Sequence, residues 1–394
     1  MFKKVVEYLY KPASYWAILV STVLVLTLQN YLLSPNNPSG GGDSTYYSNY
    51  LIFIHSFTHL IHHQDLYQNF PAEHCDLFKY SPTFALLMAP FNVVPTFVGL
   101  LFWNLLNAFL LFFAIRRLPV LNEAQKLGLS GFLLIEAYTS LLNSQSNCLI
   151  AGLILFTFLL LEKKQLLLAA LFVAFSTYIK IFGVVAFLLF LFYPGKARAV
   201  LYSICWMLLL GILPLLVVSP AELLGIYKSW GHLLIDDHSA SYGFSVMGWL
   251  HSWFNLHPAK LLVSIIGLVG ICLPLLRVRL YKQLPFRLLY LASLLIWVVI
   301  FNHKAESPSF IIAVSGVAIW YYYQPRSIPN KVLLALTFIF TVLPATDLFP
   351  PTVRTQIMIP HVVKVFPCIL VWIRINYDLF RMKTETPEPT LTPA

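Results

Sequence analysis

Apolar stretches of helix length recur along this chain, from SYWAILVSTVLVLTLQNYLL at 14–33 to residues 358–377, with short polar breaks between them. A helix rising 1.5 Å per residue needs roughly 20 apolar residues to cross about 30 Å of hydrocarbon. The pattern predicts about twelve transmembrane helices, at 14–33, 96–115, 128–143, 147–161, 166–179, 181–193, 199–218, 261–277, 287–301, 308–322, 331–344 and 358–377. A lipid-exposed backbone must satisfy its own hydrogen bonds, so the expected fold is all-α, a polytopic membrane helix bundle. The first run follows a basic MFKK start, is long for a signal peptide and lacks a small-x-small site, which predicts an uncleaved span.

The segments outside the spans have their own patterns. The loop 34–95 opens with LSPNNPSGGG, where Pro and Gly interrupt regular structure. Apolar residues then return at helical spacing, with Tyr47, Leu51, Ile54, Phe57 and Ile61 along one side, and predict an amphipathic helix on the membrane surface. The run SPTFALLMAPFNVVP at 81–95 is too short to cross and carries prolines, which suits an interfacial or re-entrant element. A second large loop, 219–260, contains SYGFSVMGW. Residues 1–380 are expected to form one membrane-embedded domain, and 381–394 has the composition of a disordered cytoplasmic tail.

Composition supports this picture: 59% of the 394 residues are hydrophobic and 11% charged, against roughly 25% charged in soluble proteins. The formal charge of +10 raises the question of nucleic acid, but its distribution answers it. With the N-terminus placed in the cytoplasm, 19 of the 26 Lys and Arg residues fall on that side, as the positive-inside rule requires. The charge is therefore mostly a topology signal, and no nucleic-acid partner is expected. Five scattered cysteines without a CxxC indicate neither a disulfide framework nor a metal cluster, though a Cys75 to Cys148 bridge stays open. Walker, Rossmann, HExxH and GxSxG motifs are absent, so a substrate would have to arrive already activated.

The remaining polar and ionisable groups converge on the opposite, outer face: Asp43, the 62–80 loop, Gln145, Asn147, Lys180, the Asp236-Asp237-His238 stretch, His303-Lys304-Glu306, Asp347 and Arg354. Sugar transfer from a lipid phosphate needs a base for the acceptor proton and cationic groups for the leaving phosphate. Asp43 suits the base, and Lys180, Lys304, Arg354 and His303 suit the phosphate. Tyr47, Tyr80, Gln145, Asn147 and Glu306 complete the set of candidate substrate-binding residues. Each residue also has a plainer reading. Asp43 fits a solvated loop acid or an N-cap, Lys180 fits a lysine snorkelling to the interface, and Gln145 with Asn147 fits the cap of a helical hairpin. Glu136 lies inside a span without an evident partner. His62, His63 and His74 lack a clear i, i+4 pairing for metal, and no metal or cofactor is expected. A transporter or flippase of lipid-linked sugars would use the same polar cavity without a base, although no inverted repeat of broken helices is visible. A non-catalytic scaffold is the third reading.

The segments GGDSTYYSNY, YSPTFALLMAPF, WNLLNAFLLFFAIRRL, SQSNCLIAGLILF, AFSTYIKIFG and HKAESPSF occur in that order over roughly residues 1–325. As an ordered set they resemble the polytopic glycosyltransferases of the C superfamily, and within them family 87, which includes polyprenyl-phosphate-mannose-dependent mannosyltransferases. The resemblance implies an outer-face catalytic cavity roofed by the loop 34–95. The positive-inside count with twelve spans predicts that both termini are cytoplasmic, and the lack of a retention signal points to an inner bacterial membrane. It implies inverting transfer of a hexose such as mannose from a polyprenyl-phosphate sugar to a lipid or glycan acceptor, without nucleotide sugar or obligatory metal. Asp43 matches the family's acid and general base, His303 the late outer histidine that assists it, and Lys180 a position suited to the donor phosphate. Lys180 is followed by Ile-Phe where the family often carries a proline. The sequence carries no sign of oligomeric state.

Overall fold

The computed structural model describes residues 11–34, 46–74, 76–236, 241–346 and 349–383, and among these the regular structure is all helical, with no strand. The helices are α1 (Pro12–Leu33), α2 (Ser48–Ile61), α3 (Pro82–Leu87), α4 (Thr96–Arg116), α5 (Glu123–Leu142), α6 (Asn147–Glu162), α7 (Leu166–Ile179), α8 (Lys196–Ile212), α9 (Pro220–Asp236), α10 (Val246–Phe254), α11 (Lys260–Cys272), α12 (Leu284–Ile300), α13 (Phe310–Tyr323), α14 (Ile328–Thr337) and α15 (Val365–Arg381). Three segments are long and apolar enough to cross a membrane: α1, α4, and α8 with its 3-10 extension to Leu216. Several more apolar helices are shorter, among them α6, α7 and α12, so the twelve expected spans are not all of crossing length among the described residues.

The core is the pair α12 and α13, whose residues from Leu288 to Ile296 and from Phe310 to Ile319 are all buried. A helix apolar on every face belongs inside a bundle, and these two pack on each other, on α5 and on α15. In contrast, α8 buries only Ala199, Ser203 and Leu210 and presents Val200, Leu201, Ile204 and Leu208 outward, as a lipid-facing helix would. Cys148 is buried as a free thiol.

Three local differences from the sequence pattern have physical causes. The segment 181–192 is a 3-10 helix, separated from α7 by Lys180 in extended conformation (φ −139°, ψ 123°). Gly183 allows this junction, because a Cβ there would lie 2.5 Å from the Ser176 carbonyl carbon. The last helix begins at Val365 and not near 358: a π-helical stretch, Arg354–Met358, and turns precede it, and Pro367 falls in its first turn, where a missing N–H is tolerated. Finally, α2 buries Tyr50, Phe53, Ile54 and Leu60 against the protein, while Ile61, expected on the apolar side, is exposed.

The alternating helices give the bundle two chemically distinct ends. One carries closed ion pairs, with Arg287 gripping Glu162 through two bonds of 2.7 Å while the Tyr193 hydroxyl donates to the same carboxylate at 2.6 Å. The other end carries the turn between α5 and α6, the break at Lys180 and the loop 302–309.

Candidate functional site

The turn at 143–146 is pinned from three sides before it presents any side chain. Trp103 Nε1 of α4 donates to the Ser144 carbonyl at 2.8 Å, Asn49 of α2 donates to the Asn143 carbonyl at 3.0 Å, and Asn30 of α1 donates to the Leu142 carbonyl. Ser144 itself is left-handed (φ 51°), which turns the chain sharply into α6.

From this turn a hydrogen-bonded chain crosses the end of the bundle. Lys180 Nζ donates to Asn147 Oδ1 at 2.7 Å, Asn147 Nδ2 donates to Gln145 Oε1 at 2.6 Å, and Gln145 Nε2 donates to Glu306 Oε2 at 2.7 Å. Every donor points the same way, from the ammonium through two neutral amides to the carboxylate. Bonds aligned in this manner polarise one another in a low-dielectric setting. The two amides are buried, Lys180 is half-buried and Glu306 is exposed, so the chain leads from solvent inward. Gln145 and Asn147 therefore do not serve as helix caps: Ser146 is the N-cap of α6, and no side chain caps it. Lys180 has a polar partner inside the protein, Asn147.

Tyr80 closes this group from the side of the 62–80 loop. The Lys180 ammonium lies 5.9 Å from the Tyr80 ring centroid and 5.5 Å from that of Phe182, within cation–π range. Phe53 and Phe84 each pack with centroids 5.0 Å from the Tyr80 ring, and Tyr67 donates to the Tyr80 carbonyl at 3.0 Å. Burial first, and the Glu306 carboxylate second, push the Tyr80 phenol well above its usual range, so it stays a neutral donor.

The loop bearing Glu306 also carries His303 and Lys304, both half-buried. Its backbone is covered by the SYGF stretch at 241–244: Phe244 N donates to the Ala305 carbonyl at 2.8 Å, and a Cβ on Gly243 (φ 54°) would collide with the His303 carbonyl. That contact gives the Gly of SYGFSVMGW a structural reason that its sequence did not reveal. Glu306 caps the 3-10 turn Ser307–Ser309 in a reciprocal capping box.

Five of the sequence-derived candidates, Lys180, Asn147, Gln145, Glu306 and Tyr80, are thus brought together. Tyr47 starts α2 and stacks on Tyr31 at 5.9 Å, and Arg354 opens the π-helical stretch; neither belongs to the chain of amides. Asp43 lies outside the described residues, as do Asp237, His238 and Asp347. The residues flanking Asp43's segment are described, and Tyr46 N donates to Ser34 Oγ at 2.8 Å.

Two features escaped sequence reasoning. Glu136 has a partner, Lys364, whose ammonium lies 2.7 Å from Glu136 Oε1 and 3.1 Å from Ser307 Oγ. The signal was a lone lysine inside PHVVKVF, but nothing in the sequence joins it to a glutamate so far away. The other is an i, i+4 pair on α2, His55 and His59, which both contact Glu73 Oε2, at 3.0 and 2.9 Å. The His74 ring lies 6.4 Å from each, and Phe70 stacks on His59 at 3.7 Å. Burial lowers the proton affinity of His59 and His74, with Glu73 opposing it. Among the described residues no group of three His, Cys, Asp or Glu side chains is arranged to hold a metal ion.

Residues 78–344 match the family model of Glycosyltransferase family 87. The match covers most of the chain and includes Tyr80, Gln145, Asn147, Lys180 and Glu306; the chain belongs to this family and is a membrane glycosyltransferase. No curated protein matches the sequence.

Proposed function

We propose that this member of glycosyltransferase family 87 moves a hexose, such as mannose, from a polyprenyl-phosphate sugar to a hydroxyl of a lipid or glycan acceptor, with inversion, at the outer face of an inner bacterial membrane. The observation that carries the reading is the chain from Lys180 to Glu306: a half-buried ammonium held ready, with neutral amides and not a carboxylate as its direct neighbours. An ammonium paired directly with a carboxylate would be largely neutralised. Lys180, held by the neutral Asn147 amide, is suited to donate to an incoming phosphate.

In the reaction the acceptor oxygen forms the new bond to the anomeric carbon as the bond to the phosphate oxygen breaks. The acceptor proton goes to the Asp43 carboxylate, and polyprenyl phosphate leaves with the electron pair, its charge met by Lys180. Glu306 and Tyr80 suit the sugar hydroxyls, one as acceptor and one as neutral donor, and His303 assists the base. In the sequence Asp43 stands five residues before α2, and α2 holds the 143–146 turn through Asn49.

The test is incubation of the purified protein in lipid with radiolabelled polyprenyl-phosphate mannose, glucose and arabinose and a membrane-lipid extract, wild type beside Asp43→Asn. Label is expected in a new product with the wild type, and roughly 10² to 10⁴ less of it with the variant, the scale of a lost general base. Full activity in Asp43→Asn removes that residue from the mechanism. Donor binding without transfer in both proteins points instead to a carrier of lipid-linked sugars.

A further inference from the structure

The loop 302–309 is held at two adjacent residues by two different buried polar systems. Glu306 receives the chain from Lys180, while the next residue, Ser307, receives Lys364. Lys364 is the N-cap residue of α15, beyond residue 344 where the family match ends. Its side chain is 5% exposed and that of Glu136 is 0% exposed. An ammonium has three hydrogens, and three partners surround this one: Glu136 Oε1 at 2.7 Å, Ser307 Oγ at 3.1 Å and the face of the Phe310 ring at 5.1 Å. Its backbone is fixed as well, since Thr341 Oγ1 donates to the Lys364 carbonyl at 2.8 Å.

A buried ion pair is a poor source of stability, because apolar residues of similar volume in its place are often neutral or stabilising. What such a pair does supply is a fixed point. From this we propose, resting on the functional reading above, that Lys364 is a positioning residue for sugar transfer. Clamped by Glu136, it holds Ser307 and so sets where Glu306 and the rest of the 302–309 loop stand relative to the donor. It touches no substrate. The C-terminal segment outside the family match thereby supplies part of the support for the reacting groups. A displacement of about 1 Å in a supporting element is enough to cost about a hundredfold in rate.

Lys364→Met alone would strand Glu136, so the test pairs it as Lys364→Met/Glu136→Leu, and Ser307→Ala approaches from the loop side with the ion pair intact. Three quantities are read: kcat for transfer, the dissociation constant of polyprenyl phosphate, and hydrogen exchange across 302–309. The double variant is expected to lose about ten- to a hundredfold in kcat with polyprenyl-phosphate binding within about twofold of wild type. Ser307→Ala is expected to move kcat in the same direction by less, and exchange across the loop should rise in both. Under a merely structural role kcat per folded molecule stays unchanged in both variants, whichever way thermal stability moves, and that result overturns the proposal. Wild type that transfers from no lipid-linked donor defeats the functional reading alone. In that case the exchange data still decide, since unchanged protection in both variants rules out the clamp.

Discussion

Replacing Asn147 by Leu removes the hinge of the polar chain while keeping its branching and heavy-atom count, and the structure sets the size of the effect. Asn147 is fully buried, accepts from the Lys180 ammonium at 2.7 Å and donates to Gln145 at 2.6 Å. A hydrogen bond to a charged group contributes about 1.5–3 kcal/mol, and the neutral amide bond about 0.5–1.5 kcal/mol. Only the first bears on the ammonium's position. If Lys180 is aimed at the donor phosphate by Asn147, the variant loses about 1.5–3 kcal/mol of that interaction, or about ten- to a hundredfold in affinity for polyprenyl phosphate. Binding of polyprenyl phosphate to purified protein measures it directly, with Lys180→Met and the double variant beside it. Residues acting through one contact are non-additive, so Lys180→Met/Asn147→Leu is expected to bind no more weakly than Lys180→Met. Asn147→Leu binding like wild type while Lys180→Met is impaired would refute the reasoning, because the ammonium would then find its place without the amide.

Two further outcomes are expected. Gly183→Ala sets a methyl 2.5 Å from the Ser176 carbonyl carbon, a backbone atom that cannot turn aside, and is expected to destabilise by about 1–3 kcal/mol and to weaken polyprenyl-phosphate binding through Lys180; an unchanged melting temperature and affinity would show that the junction adapts. The His cluster gives a pH dependence: His59 and His74 have folded-state proton affinities lowered by burial, so their contribution is present above the ordinary histidine range near pH 6.5 and is lost as pH falls below it, with Glu73, His55 and Asp76 as the facing charges. Hydrogen exchange at residues 70–74, corrected for intrinsic rate, is expected to quicken between pH 7.5 and 5.5, and equal protection at both would count against the linkage.

The long apolar helices could be read from the sequence because each announces itself locally, whereas α9 and α10 lie in the stretch 219–260 that was expected only as a loop. The candidate site was legible for a related reason. Gln145, Asn147 and Lys180 are polar groups interrupting apolar runs, and keeping such groups at membrane depth is costly unless they are partnered. Partnership itself is a property of the fold. Lys364 and Glu136 meet from α15 and α5, and no period or spacing records that encounter. Helical spacing puts Leu51, Ile54, Phe57 and Ile61 on one side of α2 without telling which of its faces the protein covers. Tyr50, Phe53 and Leu60 are buried, and Phe53 packs on the rings of Tyr80 and Phe84.

The bond between Tyr46 N and Ser34 Oγ has a consequence for how relatives of this enzyme diverge. A segment whose two ends meet is a closed insertion, and doubling the length of such a loop adds only about 0.6 kcal/mol of closure entropy. Insertions between residues 34 and 46 therefore need not disturb α1, α2 or the amide chain beyond them, and a lengthened interval that keeps Asp43 at its distance from Tyr46 is expected to leave the hold of Asn147 on Lys180 unchanged.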